Sequence, residues 1–213
     1  MMDDKKYWAN YYSENLDPTN QSSFAEFILP KLTKNKKLID LGCGNARDSL
    51  YFSRNGLNVI AVDQVKEEIE YLNKNYKNDN IHFICDDFTD LENSSNELFD
   101  KEFDYVYSRF TFHAINEKKE DKTLDWISNH LKEDSLFLLE ARSIKDPMYN
   151  EGKKLSKTEN FTNHYRRFIQ LDKIISKLES RGLEIIYQIE DKDLAVYKDD
   201  NPYVIRLIAK KNR

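Results

Sequence analysis

At 213 residues the chain is long enough for one well-buried domain and short for two. Its 39% hydrophobic and 33% charged residues suit an α/β protein, and the net charge of −5 argues against a nucleic-acid partner, which usually shows a basic excess. No leader peptide or apolar run of about 18 residues is evident, and Cys43 and Cys85 fit no metal spacing, so the expectation is a cytoplasmic protein without metal or membrane partner.

Residues 5–12 are rich in tyrosine and tryptophan and read as a helix that Asp17-Pro18 breaks; Ser22 and Ser23 can cap a second helix carrying Phe24, Phe27, Ile28 and Leu29. Residues 36–41 read as a first strand and 46–55 as a helix closed by Asn55-Gly56. The almost wholly apolar 57–62 is the second strand, as in a sheet covered on both faces, and 66–76 is an amphipathic helix. Strands follow at 81–85 and 103–107, a helix at 121–131, and a strand at 135–141. A helix at 171–180 and strands at 183–189 and 203–209 complete the chain, the last two joined by 190–202. Strand and helix alternate from 36 to 141, which predicts a mostly parallel sheet with helices on both sides. Residues 142–168 break the alternation. They far exceed the roughly 2–6 residues normal between a strand and its helix, and their Tyr, Phe and Arg content favours a lid.

The chemistry concentrates after the first strand. Asp40-Leu41-Gly42-Cys43-Gly44 places two glycines where the backbone must turn tightly and approach a ligand. Asp63, at the end of the next strand, can accept both hydroxyls of a ribose. Dinucleotide and S-adenosylmethionine (SAM) sites share that logic, and position 47 separates them. A dinucleotide loop needs a third glycine there to bring the helix under the pyrophosphate, and this chain has Arg47. SAM has no pyrophosphate; Asp40 can accept from its ammonium and Arg47 can face its carboxylate.

The segment 40–49, Asp-Leu-Gly-Cys-Gly-Asn-Ala-Arg-Asp-Ser, resembles the first motif of the class I SAM-dependent methyltransferases, and the strand pattern of 36–210 is similar to theirs. Small bacterial enzymes acting on small molecules, including those of cell-surface polysaccharide gene clusters, are the members it resembles most. The resemblance implies a Rossmann-like α/β fold: seven strands in the order 3-2-1-4-5-7-6, strand 7 antiparallel. It implies one methyltransferase domain over 1–213, with 1–33 as a helical cap and 142–168 as a substrate lid. It departs at Ala46, where the family carries a further glycine. By position, Asp63 resembles the ribose acid and Gln64 its adenine-side neighbour. Asp87 resembles the acid that meets the adenine amino group, with Asp86 in reserve and Phe88 alongside. Ser108 and Arg109 begin the segment that usually lines the methionine. Tyr7, Trp8, Tyr11 and Tyr12 sit where such enzymes fold a helix over the cofactor, although plain packing explains their spacing equally well. The cofactor residues expected are therefore Asp40, Gly42, Cys43, Gly44, Arg47, Asp63, Gln64, Asp87, Phe88, Ser108, Trp8 and Tyr12.

Methyl transfer is an in-line displacement, and an oxygen acceptor needs its proton removed. His113, just after the fourth strand, is the candidate base, with substrate contact and a structural role as alternatives. Arg109, Arg142, His164, Tyr165, Arg166 and Arg167 are the expected substrate contacts, with a surface ion pair to nearby acids as the alternative for at least one of Arg166 and Arg167. So much arginine near one mouth of an acidic chain suggests an anionic small molecule, such as a phosphorylated or nucleotide-activated sugar or surface-glycan precursor. The Glu140-Ala141-Arg142 and 164–168 segments are similar to those of the polysaccharide-cluster enzymes. Asp200-Asn-Pro-Tyr203 reads as a turn launching the last strand. The alternatives are a macromolecular acceptor (RNA or protein), an NAD-dependent oxidoreductase, and a silent SAM-binding module. The expected assembly is a monomer or homodimer.

Overall fold

A computed structural model describes Tyr7, Trp8, Asn10 and residues 17–212. Ser22 caps α1 (Ser23–Ile28), its Oγ accepting from the Ala25 amide at 3.1 Å. Then come β1 (Lys37–Leu41), α2 (Arg47–Arg54), β2 (Asn58–Asp63), α3 (Lys66–Asn75) and β3 (Ile81–Cys85). They are followed by β4 (Phe103–Arg109), α4 (Glu117–His130) and β5 (Leu131–Arg142). The strands form one seven-stranded sheet with β9 (Leu183–Asp191) and β10 (Val204–Lys211), in the order β3-β2-β1-β4-β5-β10-β9. All pairs from β3 to β5 are parallel, while β10 is antiparallel to both neighbours. This is the expected order, with the last strand inserted beside the fifth.

Alternation along each strand sends residues to two cores. Ile39, Ile60, Val62, Val106 and Leu139 meet Leu124 and Ile127 of α4 and Ile174 and Leu178 of α5 (Leu171–Glu179). Leu38, Val59, Ala61, Tyr105 and Leu138 meet α1, α2 and α3 through Phe24, Ile28, Phe52, Ile69 and Leu72. Helices therefore cover both faces.

Two boundaries differ from expectation. The fourth helix begins at Glu117, because Asn116 Oδ1 accepts from the Lys119 amide at 2.9 Å, and its first turn is too polar to show periodicity. The fifth strand begins at Leu131, directly after that helix. The insertion after β5 carries a small antiparallel sheet of its own, β6 (Lys153–Lys154), β7 (Glu159–Phe161) and β8 (Tyr165–Arg167). Buried Asn160 ties it together, donating to the carbonyls of Tyr149 at 2.5 Å and Glu151 at 3.0 Å. No helix among the described residues is long and apolar enough to cross a membrane.

Candidate active site

The carboxyl ends of β1 to β5 open into a cavity of about 800 Å³, roofed by Tyr7 and Trp8, the insertion and the β9–β10 connection. That volume falls in the range of small-molecule sites, about 300–1,000 Å³. Parallel strands place their carboxyl ends together, so residues distant in sequence share this mouth.

The glycine loop forms the floor. Gly42 has φ of +78°, and a Cβ there would lie 2.3 Å from Thr111 Cγ2. Both the backbone and the neighbouring segment after β4 therefore demand glycine. Ala46, with φ of +56°, is held left-handed at the entry to α2 with its methyl fully buried. Asp63 anchors the loop. Its Oδ2 accepts from the Gly44 amide and its Oδ1 from the Val65 amide, both at 3.0 Å. A carboxylate has about four acceptor sites, so Asp63, which lines the cavity, keeps acceptor capacity beyond these bonds. Burial raises the Asp63 pKa against these bonds. Burial, aided by Asp48 and Asp63, lifts Asp40 to about 8 despite a 2.5 Å bond from Ser49 Oγ. Asp40 is thus poised to gain from a cationic partner, which would restore its charge.

On the β3 side the two candidate acids separate. Asp87 lines the cavity and Asp86 does not. Asp87 accepts from the Thr89 amide and hydroxyl and lies 3.3 Å from Lys119 Nζ. Burial works against its charge, but the Thr89 bonds and Lys119 outweigh it and lower its pKa. Asp86 is turned to Ser94 at 2.5 Å.

Across the mouth the charge reverses. Arg109, Arg142, Arg166, His113, His164 and Tyr165 line the walls beyond β4 and β5. Arg109 Nε lies 2.8 Å from Glu140, which also holds Arg206 at 2.6 Å. Arg142 pairs with Asp146 at 2.8 Å and with Asp200. Burial, then the charges of Arg142, Arg166, His164 and Arg109, push His113 well below the usual histidine range. His164 falls to about 3 through burial, Arg166 and Arg142. Its ring stacks on Tyr7 at 4.0 Å, which joins the N-terminal segment to the insertion over the cavity.

Of the expected residues, Trp8, Asp40, Gly42, Cys43, Arg47, Asp63, Gln64, Asp87 and Phe88 line the same cavity as the group around His113. Three others do not reach it. Ser108 is fully buried with its hydroxyl against Thr111, because β4 turns that side chain inward. Gly44 serves through its amide to Asp63. Arg167 corrects the expectation of a substrate contact. It is buried, bonds the Ile115 carbonyl at 2.9 Å and pairs with Glu120, so it fastens the insertion to α4. Tyr11 and Tyr12 lie outside the described residues.

Sequence reasoning missed Asp48, Tyr107 and Asp200. Buried Asp48 accepts from the Ser22 amide at 2.6 Å, the Ser22 hydroxyl at 2.7 Å and the Tyr107 hydroxyl at 2.8 Å, fixing the start of α1 to the first turn of α2 and to β4. No local pattern announces such a network. Asp200 lies in the stretch read only as a turn, yet it lines the cavity. Among the described residues no group of three His, Cys, Asp or Glu side chains is placed to hold a metal.

Residues 38–134 match the methyltransferase domain. The fold is that of the SAM-dependent methyltransferases. A SAM-dependent methyltransferase from Clostridium acetobutylicum superposes with a TM-score of 0.70 at 17% identity, over 99% of this chain and 100% of that one. The 1,6-didemethyltoxoflavin-N1-methyltransferase of Burkholderia thailandensis, solved with 1,6-didemethyltoxoflavin and S-adenosylhomocysteine, gives 0.72 at 16% identity, over 98% and 87%. In sequence, the cypemycin N-terminal methyltransferase of a Streptomyces species is 33% identical over 99 residues, 46% of this chain and 38% of that methyltransferase. The chain spans less than half the length of the curated relatives it matches.

Proposed function

We propose that this chain transfers a methyl group from SAM to an oxygen or nitrogen of a small anionic molecule. The observation that carries this reading is the division of charge within one cavity. Asp40, Asp63 and Asp87 line the side of β1 to β3, and Arg109, Arg142 and Arg166 the side of β4, β5 and the insertion. Asp63 suits a ribose diol, Asp87 an amino group of the base, and Asp40 the ammonium of the methionine portion. Arg47 is the counterpart for its carboxylate. When bound, SAM supplies an electrophilic methyl group. The chain's own residues orient the two reactants and exclude water.

At the other end Arg166 carries the argument for an anion. Its hydrogen-bond partners among the described residues are the neutral Thr162 and Asn163, whereas Arg109 and Arg142 already meet carboxylates. Residues 142–168 then act as the substrate lid and the segment before α1 as a cap, within one methyltransferase domain. The finer reading, a phosphorylated or nucleotide-activated sugar or surface-glycan precursor, rests on the likeness of the segments around Arg142 and Arg166. A second reading takes a peptide acceptor, as the name of the cypemycin methyltransferase describes for that protein. The arginines here disfavour an approaching peptide ammonium.

Thermal shift with SAM, S-adenosylhomocysteine and NADH tests the donor. The first two should stabilise the protein and NADH should not, and Asp63→Ala should remove the shift while leaving the fold intact. Stabilisation by NADH alone would return the chain to the oxidoreductase reading.

A further inference from the structure

Methyl transfer to a neutral hydroxyl needs a group to take its proton, and the carboxylates and histidines at the acceptor end of this cavity are poorly placed to do so. Its carboxylates are committed. Glu140 is fully buried between Arg109 and Arg206. Asp146 accepts from Arg142 at 2.8 Å and from the amides of Met148 at 2.8 Å and Tyr203 at 3.0 Å. Asp200 pairs with the other Arg142 nitrogen. His164 is stacked on Tyr7 and bonded to Asn163 Oδ1 at 2.8 Å. Asp40 lines the donor side, beside the glycine loop in sequence, and is bonded to Ser49.

His113 remains, and its surroundings oppose a proton. It packs edge-on against Phe110 at 5.2 Å and faces Arg109 of β4, Arg142 of β5, and His164 and Arg166 of the insertion. No carboxylate bonds it, and its Nδ1 is buried without a partner. A charged imidazolium would be a fourth cation beside three guanidinium groups. What this end does supply is Arg166, whose positive charge has no carboxylate in ion-pair distance among the described residues.

Resting on the methyltransferase reading above, we propose that the acceptor is methylated as an anion. Its reacting oxygen or nitrogen arrives already deprotonated, held by Arg166 against the neutral His113. The anion's lone pair forms the new bond to the methyl carbon as the sulfur–methyl bond breaks. The departing pair stays on sulfur, which passes from sulfonium to neutral thioether while the acceptor becomes neutral. No proton moves, so no base is required. Neighbouring positive charge favours the ionised form of a weak acid, and the fit is to acidic phenols, enols and heteroaromatic N–H groups. Ordinary alcohols, sugar hydroxyls among them, and alkylammonium ions are poorly matched to it, so the proposal keeps the small anionic acceptor of the reading above but replaces its sugar by a group whose reacting atom is itself acidic.

The test uses 4-nitrophenol, whose ionised form is read by its visible absorbance, with protein saturated by S-adenosylhomocysteine. On binding, its apparent pKa should fall by about one unit, a tenfold gain in acidity. Arg166→Ala and Arg166→Gln should each lose most of that fall while still being stabilised by S-adenosylhomocysteine. A bound pKa equal to or above that of the free phenol overturns the proposal, as does the absence of bound phenolate at millimolar probe. Failure of S-adenosylhomocysteine to stabilise the parent protein is a separate result, and it sinks the donor assignment instead.

Discussion

Arg166 and Arg167 are neighbours in the chain with opposite expected consequences. Arg167→Ala removes a buried guanidinium that pairs with Glu120 and bonds the carbonyls of Ile115 at 2.9 Å and Phe112 at 3.3 Å. Breaking one side of a buried pair costs about 3–5 kcal/mol. Here Glu120 keeps Lys177 at 2.8 Å, so its charge is not left alone and the lower end applies. The two carbonyls nevertheless lose their donor. A loss of about 3 kcal/mol is expected, which in a chain of this size lowers Tm by about 6–12 °C. Urea unfolding followed by tryptophan fluorescence measures it directly. Arg166→Ala in the same assay should change stability by no more than about 0.5 kcal/mol, since its hydrogen bonds are to Thr162 and Asn163 on its own insertion. If Arg167→Ala costs less than about 1 kcal/mol, or if the two variants lose stability equally, the division between fastening and binding arginine is wrong.

Two further changes probe the donor side. Gly42→Ala combines a left-handed backbone, about 1–2 kcal/mol for a residue with a Cβ, with the 2.3 Å approach to Thr111 Cγ2, so a loss above about 2 kcal/mol is expected. Adding Thr111→Ser deletes that methyl and should recover part of the loss; a double variant no more stable than the single would remove the steric explanation. Glu68 is fully buried with neither oxygen bonded, and burial with Asp63 and Asp17 nearby lifts it to about 7. An acid with a raised folded pKa binds protons more tightly when folded, so its stability is lost as pH climbs from its ordinary 4.5 through 7. Glu68→Gln should therefore match the parent at pH 4 and exceed it by about 1–3 kcal/mol at pH 8. Urea midpoints across that range that move in parallel would refute the assignment.

The strand alternation, the glycine loop and the carboxylate ending β2 were legible because each obeys a local rule. Side chains alternate with period two, a left-handed turn needs glycine, and parallel strands align their carboxyl ends. The sheet order was expected from the resemblance, not from periodicity, which cannot say that β10 slides between β5 and β9. The start of α4 escaped notice because its first turn, Glu117 to Glu120, carries no apolar residue and only Asn116 marks it. The resemblance alone favours Asp87 over Asp86; the physical reason lies in the turn after β3, which aims Asp86 at Ser94 and leaves Asp87 on the cavity wall.

Residue types alone told that acids gather after the first three strands and arginines after the next two. Which of those charges remain available was decided by tertiary structure. Arg142 meets Asp200, 58 positions away, and Arg167 meets Glu120, 47 positions away. Asp48 meets Tyr107, 59 positions away. An ion pair or hydrogen bond acts over a few ångströms between elements that the fold alone brings together. The sequence could name the charged groups, but only packing could show that Arg167 is consumed in holding the insertion and that Arg166 still faces the cavity.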